Sequence, residues 1–431
     1  MELNDLYNLV RGSAGICTDT RKIRKGEVFF ALKGPNHDGN KHAAAALSAG
    51  AAAAVTDDPS IKGDKIIGVN DVLVTLTELA VLHRKTVQVP VIAITGTNGK
   101  TTTKELVTDV LSRKKKVHST SGNMNNHIGV PLTLLSAPAD AGFLVIEMGA
   151  NHRGEIASLC KTAMPTHGII TNISKAHIEG FGSFENVIAA KAELYHWLHN
   201  NGGIALFNES SSTLKELICQ LVLKAVPYSD LCGTDLKIEA APQDNPYLNV
   251  IADFEGHHYA FTTHLFGSYN LDNVRAAMAV GVFFEVPVED IIDAISLYQP
   301  SNNRSQLIKT AKNTLICDSY NANPSSMAKA LAAFSETRAE KKMVILGDML
   351  ELGHESTSEH AKIIETLDNL EAREIILVGP VFMSLAKDKK TRTFTSSEEA
   401  REWLSKASPE GYTILVKGSR GIMLEKIYDV L

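Results

Sequence analysis

Between Val91 and Leu111 the chain has few ways to fold. Val91-Ile92-Ala93-Ile94 is an apolar run of strand length, and Leu106, Val107, Val110 and Leu111 recur at helical spacing. What joins them, Thr95-Gly-Thr-Asn-Gly-Lys-Thr-Thr102, reads as a glycine-rich turn running into a helix start. Gly96 and Gly99 leave room for backbone N–H groups to approach an anion. The helix N-terminus would add its positive end, Lys100 a mobile charge and Thr101 a hydroxyl for Mg²⁺. The generic pattern G-x-x-x-x-G-K-[ST] wants glycine at position 94, where this chain has Ile94. A tight strand-to-helix turn without a ligand stays open beside nucleotide-phosphate binding.

A chain of 431 residues exceeds one ordinary core, so two or three domains are expected. A net charge of −6 implies no basic face and argues against nucleic acid as a partner. The five cysteines lack C-x-x-C spacing, which speaks against a zinc ribbon or a disulfide framework. MELNDLYNLVRG has no apolar signal-peptide core, and no run approaches 18 apolar residues. A cytoplasmic protein with no membrane insertion is expected.

Ahead of the loop, residues 1–87 read as a small α/β unit: a strand within Gly26–Gly34, an Ala-rich helix over 41–49, short strands at 51–56 and 65–69, and a helix over 72–85. Past the loop, Ser121–Pro131 is an Asn-dense turn; Asn123, Asn125 and Asn126 could hold a polar ligand or only shape the turn. Strands at 143–146 and 168–173 deliver Glu147 and His177 toward carboxyl ends, where open α/β sheets bind ligands. There Glu147 could serve magnesium or be a surface residue, and His177 a ligand or a structural histidine. Lys191 lies among small apolar residues of a helix over 184–198, either buried for a purpose or on a solvated face. Asn270 could reach a ligand or cap the helix that follows. After the polar linker Tyr298–Arg304, strands and helices alternate through four steps to a final helix from Gly421. Such alternation predicts a doubly wound parallel sheet, with polar motifs at its strand ends: Asp318–Pro324, Gly347-Asp-Met and Lys417–Arg420.

With these residues in hand, the chain resembles the Mur ligase family along essentially its full length. GTNGKTT (96–102) is that family's variant of the phosphate loop. SGNMNNHIGVPLTLL (121–135), EMGANHRGEI (147–156), TNISKAHIEGFGS (171–183) and DSYNANPSSM (318–327) match it further. The resemblance implies an α/β protein of three domains: a small UDP-substrate domain (1–87), a central P-loop ATPase-like domain (88–299) and a C-terminal Rossmann-like domain (300–431). It implies an ATP-dependent ligase, expected as a monomer, that joins D-alanyl-D-alanine to UDP-N-acetylmuramoyl-tripeptide through an acyl phosphate. That would be the last cytoplasmic step in making the peptidoglycan precursor. Gly96, Thr97, Asn98, Gly99, Lys100, Thr101 and Thr102 would hold ATP, with Asn270 on the adenine side and Arg304 and Asp318 brought in by the third domain. Magnesium would fall to Thr101, Glu147, His177 and Lys191, the last as a carbamate made from CO₂. Lys100, Lys191, His177 and Glu147 are the implied catalytic set. Substrate contacts are expected at Thr18, Asp19, Thr20, Arg21, Lys33, Asn123, Asn125, Asn126, Tyr320, Asn321 and Asn323.

Two departures stand out: Asn208-Glu209-Ser210 where Asn-x-Asp is expected, and Tyr269 before Asn270 where many members have His. The family's diamino-acid ligase carries Asp-Asn-Pro-Arg in its third domain, whereas here Asp244-Asn245-Pro246 is followed by Tyr247 and lies in the second. Folylpolyglutamate synthase shares the loop but not the 318–324 motif. A nucleotide switch or UDP-sugar binding module would leave Glu147, His177 and Lys191 expendable.

Overall fold

The computed structural model describes residues 1–175, 178–231, 234–241, 246–386 and 391–431; His177, Asp244 and Asn245 lie outside the described residues. Its residues group into two compact units, one of 1–93, 115–149 and 155–167, the other of 94–114, 150–154 and 168–431.

The first unit opens with a parallel sheet in the order Ile16–Cys17, Val28–Phe30, Ala53–Thr56, Ile66–Gly68. Val28–Phe30 is buried at every position, as expected of a parallel strand covered on both faces. Ala43 and Ala46 of the helix Ala43–Ser48 pack against Phe29, Ala51 and Ala54, where small side chains let helix and sheet approach closely. That helix starts later than its sequence suggests because Gly39–His42 forms a 3₁₀ turn, held by Asp38 accepting the Asn40 N–H.

A six-stranded sheet follows in the order Ala225–Pro227, Ile204–Phe207, His167–Ile170, Val91–Thr95, Phe143–Glu147, Val117–Ser119. The strand expected over 168–173 ends at Ile170, because the backbone of Asn172 bonds to the phosphate loop instead of a ladder. The hairpin expected across Glu255-Gly256 forms between Tyr247–Phe254 and His257–Phe266, with both turn residues left-handed at φ 50 and 78°.

The last sheet runs Gln306–Lys309, Thr314–Asp318, Thr413–Lys417, Lys342–Gly347, Glu374–Val378, Thr391–Phe394. Its strands are parallel except the first, which pairs antiparallel with Thr314–Asp318. The expected alternation is present, while the two edge strands are additions. At the C-terminus the expected helix is corrected to two 3₁₀ segments, Arg420–Ile422 and Leu424–Val430. Met423 between them is left-handed at φ 56°, which an α-helix of L-residues does not tolerate.

Phe266, at the end of the hairpin, is buried in the core of this last sheet with Ile316, Leu331, Phe334, Val344 and Leu415, and Tyr269 packs against the same cluster. The linker beyond is anchored at its start: the Tyr298 hydroxyl donates to Glu105 Oε2 at 2.5 Å. Burial, followed by the Glu105 carboxylate, pushes the Tyr298 phenol well above its ordinary value. The proton therefore stays on the tyrosine, which acts as the donor in this bond. Tyr298→Phe removes a hydrogen bond to a charged acceptor and should cost about 1.5–3 kcal/mol, read as a lower urea midpoint at unchanged m-value.

Candidate active site

Two glycines shape the phosphate loop, each for a specific reason. Gly96, at φ 140°, would place a Cβ 2.0 Å from Thr171 Oγ1; Gly99, at φ 79°, would place one 2.4 Å from Asn273 Oδ1. Ile94 is a fully buried residue of the strand Val91–Thr95, so glycine has no role at that position. The loop is bound along its length to the segment after Ile170. Thr97 N–H donates to Asn172 O at 2.9 Å, and Asn98 N–H to Asn172 Oδ1 at 3.1 Å. Thr171 Oγ1 and Asn172 Nδ2 donate to Asn98 O at 2.6 and 2.9 Å. Thr97 Oγ1 donates to Ser174 O at 3.1 Å.

Thr97 and Asn98 thus use their N–H groups on Asn172, and the loop passes into a helix at Gly99. There the helix Lys100–Ser112 begins with no side chain capping it. Lys100 Nζ folds over the loop, donating to Gly96 O at 2.9 Å and Thr97 O at 3.0 Å. Thr101 and Thr102 are buried in the first turn. The Asn98 side chain reaches the loop beyond the strand Thr314–Asp318: Asn323 Nδ2 donates to its Oδ1 at 2.7 Å. Asn323 also caps the helix Pro324–Glu336 in a capping box with Ser326, so one residue serves both purposes.

From the phosphate-loop helix a chain of buried polar groups runs to the last sheet. Thr103 Oγ1 donates to Asn273 Oδ1 at 3.0 Å, Asn273 Nδ2 to Asn270 Oδ1 at 2.8 Å, and Asn270 Nδ2 to Ser305 Oγ at 3.2 Å. Ser305 N–H donates to Asp318 Oδ1 at 3.0 Å, and Lys417 Nζ to Asp318 Oδ2 at 2.6 Å. Asn270 sits at the N-cap position of Leu271–Phe283 without capping it; its side chain bonds Phe266 O and this chain instead. Tyr269 Oη lies 3.0 Å from Ser305 Oγ, and burial, then Asp318, raises its phenol well above the ordinary value. Arg304 stacks 3.6 Å over the Tyr320 ring, and its buried Nε has no partner among the described residues. Lys417 Nζ also reaches Asn321 O at 3.4 Å. Sequence reasoning had Thr171, Asn172 and Ser174 inside the matching stretch 171–183 and Lys417 in a strand-end motif without giving them a role, and it passed over Asn273 and Ser305; Asn273 carried a signal, one helical turn beyond Asn270.

Lys191 is buried on the helix Phe184–Asn200, between Ala190 and Ala192, with Nζ 5.6 Å from the Phe181 ring centre. In the first unit Glu147 is buried, and its Oε1 accepts from Asn125 Nδ2 at 2.7 Å. Asn126 Oδ1 accepts the N–H groups of Ile128 and Gly129, which turns the chain into the helix Gly129–Leu135. Asn123 lends its carbonyl to Asn125 N–H, a turn role. Asp19 grips Arg21 through two hydrogen bonds of 2.8 Å, which, with the Arg21 N–H, hold its carboxyl down at about 2. Thr20 lies on the 3₁₀ turn that Asp19 caps, and Thr18 directly precedes it. Lys33 pairs with Asp57 at 2.8 Å, an aspartate held in place by Asn40 at 2.7 Å. Glu209, a departure noted above, accepts the Tyr228 N–H at 3.0 Å. Among the described residues no three His, Cys, Asp or Glu side chains gather as a metal site, and no helix is long and apolar enough to cross a membrane.

Family models match nearly the whole chain: the Mur ligase family catalytic domain at 13–93, the middle domain at 94–281 and the glutamate ligase domain at 303–420. A UDP-N-acetylmuramoyl-tripeptide--D-alanyl-D-alanine ligase of Bacillus subtilis is 32% identical, covering 96% of this chain and 92% of that protein. The Escherichia coli protein of the same name is 33% identical over 96% and 93%. A crystal structure of MurF from Acinetobacter baumannii superposes with TM-score 0.85 at 30% identity, covering 96% of this chain and 92% of that one. MurF ligase from Thermotoga maritima in complex with ADP gives 0.83 at 26% identity over 96% of each chain. From the matched loop at 96–102 to the strand-end motif at 318–327, the chain belongs to the Mur ligase family.

Proposed function

We propose that this chain is an ATP-dependent amide ligase that adds D-alanyl-D-alanine to UDP-N-acetylmuramoyl-tripeptide. The observation that carries the reading is the Asn323–Asn98 hydrogen bond, which joins the 318–324 motif to the phosphate loop. Near full-length similarity to ligases of that name supports it. The division into 1–87, 88–299 and 300–431 is kept as the domain plan, supported by family matches that change at 93/94 and between 281 and 303. A ligase that consumes ATP and a UDP-linked substrate would work in the cytoplasm, where both are made.

A carboxylate is a poor electrophile, so the chemistry proceeds in two displacements. The tripeptide's terminal carboxylate attacks the γ-phosphorus of ATP, releasing ADP and forming an acyl phosphate. The neutral amine of D-alanyl-D-alanine then adds to that carbonyl. The tetrahedral adduct loses a proton and expels phosphate, leaving the amide. Lys100 and the N–H groups at the start of the helix Lys100–Ser112 would stabilise charge on the transferring phosphoryl group, the main demand of such a transfer. Asn270, Arg304 and Asp318 would hold the nucleoside end. The side chains of Thr18 to Arg21 and Lys33 would meet the UDP end of the substrate, with Asn123, Asn125, Asn126, Tyr320 and Asn321 as further contacts.

For magnesium, the hydroxyl of Thr101, the carboxylate of Glu147 and a carbamate on Lys191 are oxygen donors suited to a hard divalent ion, with His177 as the family's fourth residue. When bound, the ion would neutralise charge on the β- and γ-phosphate oxygens. The carbamate forms as the neutral Lys191 amine adds to CO₂ and loses a proton, which turns a buried cation into an anion.

Phosphate release from ATP should require both UDP-N-acetylmuramoyl-tripeptide and D-alanyl-D-alanine; equal release with ATP alone would sink the ligase reading. Lys191→Ala should lose most ligase activity and regain part of it with a small carboxylate such as acetate. A variant as active as the parent would eliminate the carbamate.

A further inference from the structure

The Lys417–Arg420 motif has no role in the reading above beyond the lysine's pairing with Asp318. It ends the strand Thr413–Lys417, which lies between Thr314–Asp318 and Lys342–Gly347. Three loops therefore leave neighbouring carboxyl ends, where open parallel sheets bind ligands. Ser419 ties them into one block. Its Oγ accepts Leu350 N–H at 2.9 Å and donates to Ala322 O at 3.3 Å, and its N–H donates to Asp348 O at 3.2 Å. Asp348 is fixed in turn by accepting the N–H groups of Val381 and Phe382 at 2.9 Å each.

Two cations stand on this block. Lys417 is buried and committed to Asp318 and Asn321 O. Arg420 is not: its side chain is 61% exposed, and Glu425 Oε1 at 3.3 Å is its one ion-pair partner among the described residues. The guanidinium lies 5.8 Å from the centre of the Tyr320 ring, in the motif that reaches the phosphate loop. Beside it is an apolar ledge. Leu350 is 43% exposed, and its Cδ1 lies 2.7 Å from where a Cβ on Gly421 would sit. The Leu350 side chain therefore lies against Gly421, the residue next to Arg420.

The acceptor of the proposed reaction is a dipeptide with an amine at one end, two methyl groups and a terminal carboxylate. The carboxylate takes no part in bond making, so its recognition must come from the protein, and a guanidinium fork is the side chain that matches it. Resting on the ligase reading above, we infer that Arg420 anchors the terminal carboxylate of the incoming dipeptide, with Leu350 beneath its methyl groups. Arg420 acts here as a specificity residue and does not touch the reacting atoms.

The test pairs a change in the enzyme with a change in the substrate. Full-length enzyme and the Arg420→Ala and Arg420→Lys variants are assayed with D-alanyl-D-alanine and with its C-terminal amide, which lacks the charge. In the parent enzyme the amide should show a KM about 10- to 100-fold higher. Arg420→Ala should raise KM for the dipeptide by a similar factor and leave the amide's KM, the KM for ATP and the melting temperature within about twofold or a degree of the parent. Arg420→Lys should fall between, since an ammonium keeps the charge and loses the fork. Equal rises for dipeptide and amide, a change in KM for ATP alone, or no change at all would overturn the role of Arg420 while leaving the ligase reading intact. A parent enzyme that ligates neither acceptor would overturn both.

Discussion

Everything beyond the phosphate loop depends on the buried series Thr103–Asn273–Asn270–Ser305–Asp318–Lys417. Individually such bonds contribute about 1 kcal/mol net, but each member here is both satisfied and a satisfier, so losing one strands its neighbour away from water. The series therefore behaves as a unit. Apolar packing alone would hold Phe266 and Tyr269 in the last core without fixing where the Asp318 carboxylate points; the polar chain supplies that direction.

Ser305 is its narrowest link. The backbone there is left-handed at φ 48°, after Asn302 and Asn303 at 60 and 57°, in a stretch without glycine. Asparagine tolerates that region and serine does so poorly. The conformation is held because the Ser305 N–H, carbonyl and hydroxyl are all engaged, by Asp318, Phe266 N–H, Asn270 and Tyr269. Tyr269, where many family members carry His, reaches Ser305 with its phenol oxygen, so this departure is put to structural use.

Much of the frame could be read in advance because its signals are local. The strand–turn–helix at 91–112, the hairpin across Glu255-Gly256 and the last sheet's alternation each follow from periodicity and turn chemistry within a few residues. Edge strands such as Gln306–Lys309 were not legible, since four residues with Leu307 and Ile308 side by side show no alternation. Nor was the left-handed Met423, which no propensity foretells. In the site, Asn98 and Asn323 were each visible as motif members. Their meeting was not, because 225 residues separate them and only the fold brings them together. Asn172 was likewise visible only as a motif member and Ser305 not at all, for the same reason: their partners are remote in sequence, and neither residue is reactive.

The loop's attachment to Asn172 also has a thermodynamic consequence. With the N–H groups of Thr97 and Asn98 already engaged, the loop does not have to be ordered by the phosphate, so little of the binding energy is diverted to that end. The same holds at Asn98 Oδ1, which is tied to Asn323. Any nucleotide that favours this joined arrangement over a separated one strengthens the hold on the 318–324 segment, and by reciprocity that segment strengthens the hold on the nucleotide by the same factor. Were a second ligand to be held by the 318–324 segment, its affinity and that of the nucleotide would be linked through this one hydrogen bond.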